Sequence, residues 1–304
     1  MTGSWRCGAR EWRYEPLRPL LMAIINVTPD SFSDGGRHAD PIAAAAWAHE
    51  CISAGAVMLD VGGESTKPGS LRVAPEVQVS RVVPAIQRMM EIPEVASGGV
   101  SISVDTTSAG VARAALDAGA TIVNDVSAGE EDPELLALVA ARGCGLVLMH
   151  RLRPPPEDSF SDRYAQPPEY TDVVATVAAS LVRRVRRARD AGVDGAAIAV
   201  DPGLGFGKTV DQNVELMSRI GEIVALGHPV LVSASRKSFL GAICTEPDPS
   251  RRDAASAAAA LAMSRCGVAV VRAHNIEAHR VSLRAAERDC GPLGLLESIV
   301  RTHH

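Results

Sequence analysis

Residues 101–126, SISVDTTSAGVARAALDAGATIVNDV, hold one complete repeat of the chain's architecture. A short apolar run rich in β-branched residues, Ser101–Asp105, ends on a carboxylate. An alanine-rich segment of helical period follows over 108–118, and Gly119-Ala120 closes it. A second strand-like run, Thr121–Val126, then ends on Asn124-Asp125. Strand, helix and strand at this spacing make a βαβ unit and hence a parallel sheet. Runs apolar along nearly their whole length are what strands covered on both faces require.

The same pattern extends in both directions. Strand-like runs are expected at Leu20–Val27, Val57–Val61, Gly145–His150, Ala196–Asp201, Pro229–Ser233 and Val268–Ala273. Helical segments are expected near 40–54, 75–91, 133–142, 171–191, 210–221, 253–265 and 276–288. Gly55, Gly119, Gly192, Gly227 and Gly267 stand where helices must stop before the next strand. Every strand run ends in polar or Gly-rich residues. An open doubly wound sheet would gather its site at one switch point, whereas polar ends on all strands fit one face of a barrel. The expected fold is therefore a single-domain α/β protein, a (β/α)₈ TIM barrel over 20–290. Residues 1–19 cap one end through Trp5, Trp12 and Tyr14, and 291–304 form a tail.

Composition narrows the function. Hydrophobic residues make up 46% with 3% aromatic, an aliphatic core of the kind α/β proteins use. The net charge of −5 leaves no basic footprint for nucleic acid. No apolar run reaches the length of a membrane span. Residues 1–20 lack the apolar stretch of a secretory signal. Six cysteines without a C-x-x-C or pairing rhythm suit reduced, mostly buried thiols of a cytoplasmic protein.

The strand ends suggest a polar heterocycle that carries phosphate. Asp105, Asn124 and Asp201 offer acceptors and an amide to a planar ring with a guanidine-like edge. Each could alternatively be the N-cap of the helix that follows it. Lys237 and Arg236 follow the seventh strand, and Arg272 and His274 end the eighth, where barrels of this kind often hold phosphate. The stretch Gly203-Leu204-Gly205-Phe206-Gly207-Lys208-Thr209 fails the phosphate-loop pattern because Pro202 stands where glycine is needed. It reads instead as a tight βα loop that holds Asp201 and sets Phe206 over a pocket. His150, alone at the fifth strand end, reads as a satisfied core histidine. The Pro-rich segment 151–170 reads either as a binding loop or as a surface insertion.

In order and spacing, these motifs resemble dihydropteroate synthase, over nearly the whole chain. The resemblance is carried by NVTPDSFSDGG at 26–36, DVGGESTKPG at 60–69, Ser103–Thr106, Asn124–Val126, Asp201–Lys208 and SRKSFLG at 235–241. It implies condensation of 6-hydroxymethyl-7,8-dihydropterin pyrophosphate with p-aminobenzoate by SN1-like loss of pyrophosphate. It further implies that Asp105, Asn124, Asp201 and Lys237 hold the pterin, with Met149 and Phe206 lining it. Asn26 is expected to help bind Mg²⁺ on the pyrophosphate, and Thr66, Arg272 and His274 to bind that anion. Phe32, Thr66, Lys67, Pro68, Ser235 and Arg236 are expected at the p-aminobenzoate pocket, where sulfonamides compete. A homodimer is also implied.

The chain departs from the family at three places. Lys67 stands where arginine is usual, which keeps the charge but loses the bidentate fork. Asn275 replaces an aspartate and can still cap the last helix. After Met149-His150 the family continues M-x-G-x-P, whereas this chain reads Arg151-Leu152-Arg153-Pro154. Two rivals share the Asp/Asn/Asp pocket. A pterin-binding methyltransferase barrel has no use for Arg272-His274, and a binding-only homologue has no need of intact first and second loops.

Overall fold

A computed structural model describes residues 2–28 and 40–287. The chain opens with an antiparallel hairpin, β1 (Gly3–Cys7) and β2 (Arg10–Tyr14). The barrel then alternates strand and helix: β3 (Leu20–Asn26), α1 (Pro41–Ser53), β4 (Met58–Gly62), α2 (Pro75–Met89), the single turn α3 (Pro93–Ala96), β5 (Ser101–Asp105), α4 (Ala109–Ala118), β6 (Ile122–Asp125), α5 (Glu134–Arg142) and β7 (Gly145–Met149). It continues through α6 (Val173–Asp190), β8 (Ile198–Asp201), α7 (Val210–Ser218), α8 (Ile220–Val224), β9 (Leu231–Val232), α9 (Ser238–Cys244), α10 (Asp253–Ser264), β10 (Val270–Ala273) and α11 (Ile276–Glu287).

Eight parallel strands lie in the order β8-β7-β6-β5-β4-β3-β10-β9. A parallel bridge between Val200 and Val230 joins the two ends and closes the ring. Outward residues such as Leu21, Ile25, Val61, Val104, Val123, Leu148 and Val200 pack under the helices in the main core. Inward residues at the N-terminal end of the strands, among them Met22, Met58, Ile122, Val147 and Leu231, form a second cluster.

The hairpin seals that end. Trp5 and Cys7 are fully or almost fully buried against this inner cluster, together with Trp12. Trp5 Nε1–H donates to the Ala197 carbonyl at 2.8 Å, and Trp12 Nε1–H donates to Ser101 Oγ at 3.1 Å. Two large rings thus fill the floor while each indole N–H keeps a partner, as a buried indole requires. The sequence pattern placed these aromatics at one end of the barrel but did not show them on paired strands.

Helix boundaries follow local chemistry. Asp40 caps α1 by accepting from Ile42 N, with Pro41 in the first turn, and Thr209 with Gln212 forms a capping box on α7. The expected helix over 210–221 is broken at Arg219 into α7 and α8. The expected strand Pro229–Ser233 shrinks to Leu231–Val232. Of the described cysteines, Cys7, Cys51 and Cys144 are buried but Cys244 and Cys266 are exposed. Among the described residues no helix is long and apolar enough to cross a membrane.

Candidate active site

Strand register builds the site. Asn26 pairs with Gly62, Gly62 with Asp105, and Asp105 with Asn124, so one row across β3 to β6 carries amide, bare backbone, carboxylate and amide. One inward step deeper, Ile24 pairs with Asp60 and Asp60 with Ser103. Side chains alternate along a strand, so both rows face into the barrel. A Cβ at Gly62 would already touch Asn26 Oδ1 at 3.8 Å and Asp105 Cβ at 3.7 Å, so glycine keeps the space between them open.

Asp60, Asp105, Asn124 and Arg272 form one buried network. Asp60 Oδ2 accepts from Asn124 Nδ2 at 3.0 Å and from Arg272 Nε at 2.6 Å. Arg272 Nη2 reaches Asp105 Oδ2 at 3.0 Å. One guanidinium therefore serves two carboxylates. Burial first, and then the neighbouring Asp60 charge, push the Asp105 carboxyl well above the usual carboxylate range, with Arg272 pulling the other way. Asp60 Oδ1, Asp105 Oδ1 and Ser103 Oγ are buried yet have no hydrogen-bond partner. An unpaired buried acceptor costs about 1–3 kcal/mol, so three gathered at one place mark where donors of a ligand belong. The capping alternative fails, because the N-cap positions of α4, α5 and α7 are Ser108, Pro133 and Thr209 rather than Asp105, Asn124 and Asp201.

The opposite wall comes from the Gly-rich loop after β8. Asp201 Oδ1 accepts from Gly203 N at 2.7 Å, and Phe206 N bonds back to the Gly203 carbonyl at 3.1 Å. Gly203 has φ +68°, and a Cβ there would lie 1.8 Å from the His150 carbonyl oxygen, so no other residue fits. Phe206 packs with Met149 and Val126. Lys237 Nζ sits 4.6 Å from the Phe206 ring centroid and donates to the Leu204 carbonyl. Burial brings the Lys237 pKa down to about 8, opposed by Asp201. The loop thus holds Asp201, as the sequence suggested, and sets Phe206 against Met149 and Val126.

Lys208, wholly buried beneath it, was not singled out from sequence. Its Nζ donates to the carbonyls of Gly203 and Phe206 at 2.9 Å each and to His150 Nδ1, 3.1 Å away. Burial and the Lys208 charge drive the His150 pKa down to about 2, so the imidazole is a neutral acceptor. His150 is thus a satisfied core histidine whose partner is the lysine that locks the Gly-rich loop.

The third side gathers cations. His274 Nδ1 lies 2.9 Å from Ser235 Oγ, which also accepts from His274 N at 3.1 Å. A Ser235 hydroxyl donating to Nδ1 leaves the imidazole proton on Nε2. Burial, with the charges of Arg236, Arg272 and Lys67, lowers the His274 pKa to about 3. Arg236, Arg272 and Lys67 thus lie near one imidazole, with Asp253 opposing them. Arg236 forks onto Asp253, Nε to Oδ1 at 2.7 Å and Nη2 to Oδ2 at 3.0 Å. Asn275 donates to Asp253 Oδ2 at 2.9 Å and caps α11 by accepting from Ala278 N at 3.0 Å.

The expected site residues divide accordingly. Asp105, Asn124, Asp201, Lys237, Met149 and Phe206 come together in the barrel mouth. Arg272, expected on the anion, bonds Asp60 through Nε and Asp105 through Nη2. Ser235 and Arg236, expected against p-aminobenzoate, are turned onto His274 and Asp253. Thr66 and Pro68 are partly exposed and Lys67 exposed on the loop after β4. Phe32 lies outside the described residues. Asp60 and Ser103 are not among the expected site residues; once the structure fixes which way Met58 and Asp105 point, alternation along β4 and β5 brings both inward.

The pterin binding enzyme family matches residues 22–274. The chain is 44% identical to the dihydropteroate synthase of Mycobacterium leprae over 85% of its own length and 89% of that protein's. It is similar to the solved structure of Xanthomonas albilineans dihydropteroate synthase with 4-aminobenzoic acid, with a TM-score of 0.82 and 38% identity, covering 94% of this chain and 98% of that one. It is also similar to the Yersinia pestis dihydropteroate synthase with a sulfonamide drug, with a TM-score of 0.85 and 31% identity over 95% of this chain and 100% of that one. By sequence and by fold, the chain belongs to the pterin-binding enzyme family and, within it, to the dihydropteroate synthases.

Proposed function

We propose that the protein joins 6-hydroxymethyl-7,8-dihydropterin pyrophosphate to p-aminobenzoate, giving 7,8-dihydropteroate and pyrophosphate. The observation that carries this reading beyond family membership is the group of unpartnered acceptors, Asp60 Oδ1 and Asp105 Oδ1, beside Asn124 in the barrel mouth. A pterin presents a row of N–H donors along one edge, which is the complement of that set. Asp201 and Lys237 hold the far side of the ring, and Met149 and Phe206 cover its face.

The reaction follows from where charge is placed. The bond between the exocyclic methylene and the pyrophosphate oxygen breaks in SN1-like fashion, and the pair of electrons leaves with pyrophosphate. Positive charge spreads into the pterin, where the Asp105 and Asp201 carboxylates stabilise it without having to reorganise. The arylamine nitrogen is an uncharged nucleophile at neutral pH; it forms the new C–N bond and then loses its proton. Asn26, Thr66, Arg272 and the Nε2–H of His274 receive the anion. The loop bearing Thr66, Lys67 and Pro68, with Phe32, forms the arylamine side, backed by Ser235 and Arg236. Sulfonamides compete there.

Asn26 offers a single neutral oxygen, and among the described residues no group of three His, Cys, Asp or Glu could hold a metal. That donor set fits Mg²⁺ held largely by substrate phosphates, with Asn26 as its protein ligand. Mg²⁺ so bound supplies charge neutralisation on the leaving pyrophosphate. Homodimer formation belongs to the same reading. The test is release of pyrophosphate from the pterin substrate with and without p-aminobenzoate. Turnover with formation of dihydropteroate is expected, and folded protein that binds pterin but releases nothing would replace this reading with that of a binding-only homologue.

A further inference from the structure

A chain of charges that the pterin and anion sites do not use links the loop after β4 to the loop after β7. Glu131 accepts from Arg151 through one oxygen and forms an ion pair with Arg72 through the other. Arg72 also reaches Glu64 at 3.3 Å. Glu64 in turn accepts from Val73 N and from Gln78 Nε2, both at 3.0 Å, and so folds the loop after β4 back on its own base. At the tip of the same loop, Gly69 N donates to the Pro155 carbonyl at 2.7 Å, a direct bond to the Pro-rich segment.

Exposure shows which end is fixed. The Arg151 side chain is 5% exposed and that of Arg72 is 39% exposed, with Glu131 between them at 23%. Arg151 is therefore the anchor and Arg72 the element it restrains. The Pro-rich segment is itself tied down. Asp158 accepts from Gly207 N at 2.9 Å, and the Tyr170 hydroxyl donates to the Gly207 carbonyl at 2.8 Å. Restraint thus runs from the Gly-rich loop through the Pro-rich segment to Gly69.

We propose that Arg151, acting through Glu131 and Arg72, is a positioning residue that holds the loop bearing Thr66, Lys67 and Pro68 in place over the barrel mouth. The inference rests on reading that loop as the arylamine side. None of the three charged groups touches the reacting atoms, so they act on the ordering cost of binding rather than on bond breaking.

Glu131→Gln removes both ion pairs with little change of shape. The expected result is a rise of about 5–10-fold in KM for p-aminobenzoate, with kcat and the KM for the pterin substrate within about 2-fold. Amide exchange at Gly69 and Val73 should speed up by a similar factor. Arg72→Gln carries the same readout should Glu131→Gln fail to fold, since Arg72 lies at the exposed end. The double variant should be no worse than the worse single one, because both cut one chain. An unchanged KM for p-aminobenzoate in folded Glu131→Gln overturns the proposal, and so does a fully multiplicative double variant. Should the wild-type protein make no dihydropteroate, the reading of the reaction fails, and exchange at Gly69 and Val73 still decides whether Glu131 holds the loop.

Discussion

The two ends of the barrel are built from the same strands, two residues apart, and they are opposites. At the floor, Met22, Met58 and Val147 point inward and meet Trp5 and Trp12, whose indole N–H groups are both bonded. At the mouth, the inward positions include Asp60 and Asn124, one step beyond Met58 and Ile122, and Ser103 and Asp105 along β5, and three of their acceptor atoms have no partner. The floor is satisfied and closed; the mouth is held unsatisfied by the rigidity of the ring around it. The contrast shows how a barrel divides its labour: stability is gathered at one end, so that the other can keep carboxylates buried at a cost until a ligand completes them.

The largest effect expected is on the floor. Trp5→Ala should lower unfolding free energy by about 3–5 kcal/mol, measured by denaturant titration, while the folded fraction keeps its kcat within about 2-fold. A large loss of kcat in that fraction would break the division. Next comes the mouth. Asp105→Asn should cut kcat by about 100- to 1000-fold with a melting midpoint unchanged or raised, because a costly buried charge is removed. A variant with full turnover would remove Asp105 from the chemistry, and one that loses stability as Trp5→Ala does would make the mouth structural.

A subtler difference is expected with pH. The folded-state pKa of Asp105 is raised, so its contribution to stability is present at low pH and is lost as pH rises through that value. Pterin donors favour the ionised carboxyl, so pterin affinity should rise with pH, by about tenfold between pH 6 and 8, and be flatter in Asp105→Asn. Affinity falling with pH in the wild type would contradict the assignment. The smallest effect returns to the floor. Trp12→Phe loses the bond to Ser101 and part of the indole that fills the floor beneath Arg10, and should cost about 1–2 kcal/mol with unchanged kinetics.

Much of this was legible in the sequence, and what was not has a physical reason. Strand and helix alternation gave the barrel, and the polar strand ends gave its working face. Parity along each strand was hidden, because strands buried on both faces read as unbroken apolar runs. Asn124 and Asp125 therefore looked like one cluster. In the structure Asn124 points inward to Asp60, while Asp125 points outward and accepts from Ser127 N and Oγ at 2.7 Å each. Lys208 was lost for a different reason. A lysine after a Gly-rich loop suggests phosphate, and only coordinates show it bonded to His150 and two carbonyls. The helix Ser238–Cys244 is too short for periodicity to declare.

The measurement that bears most directly on the mouth as a pterin site is calorimetric titration with 6-hydroxymethylpterin lacking its pyrophosphate. Binding of one pterin per chain is expected in the wild type, with affinity at least tenfold weaker in Asp105→Asn and pyrophosphate binding retained. Equal pterin affinity in the two proteins, or no binding to the wild type, would contradict it.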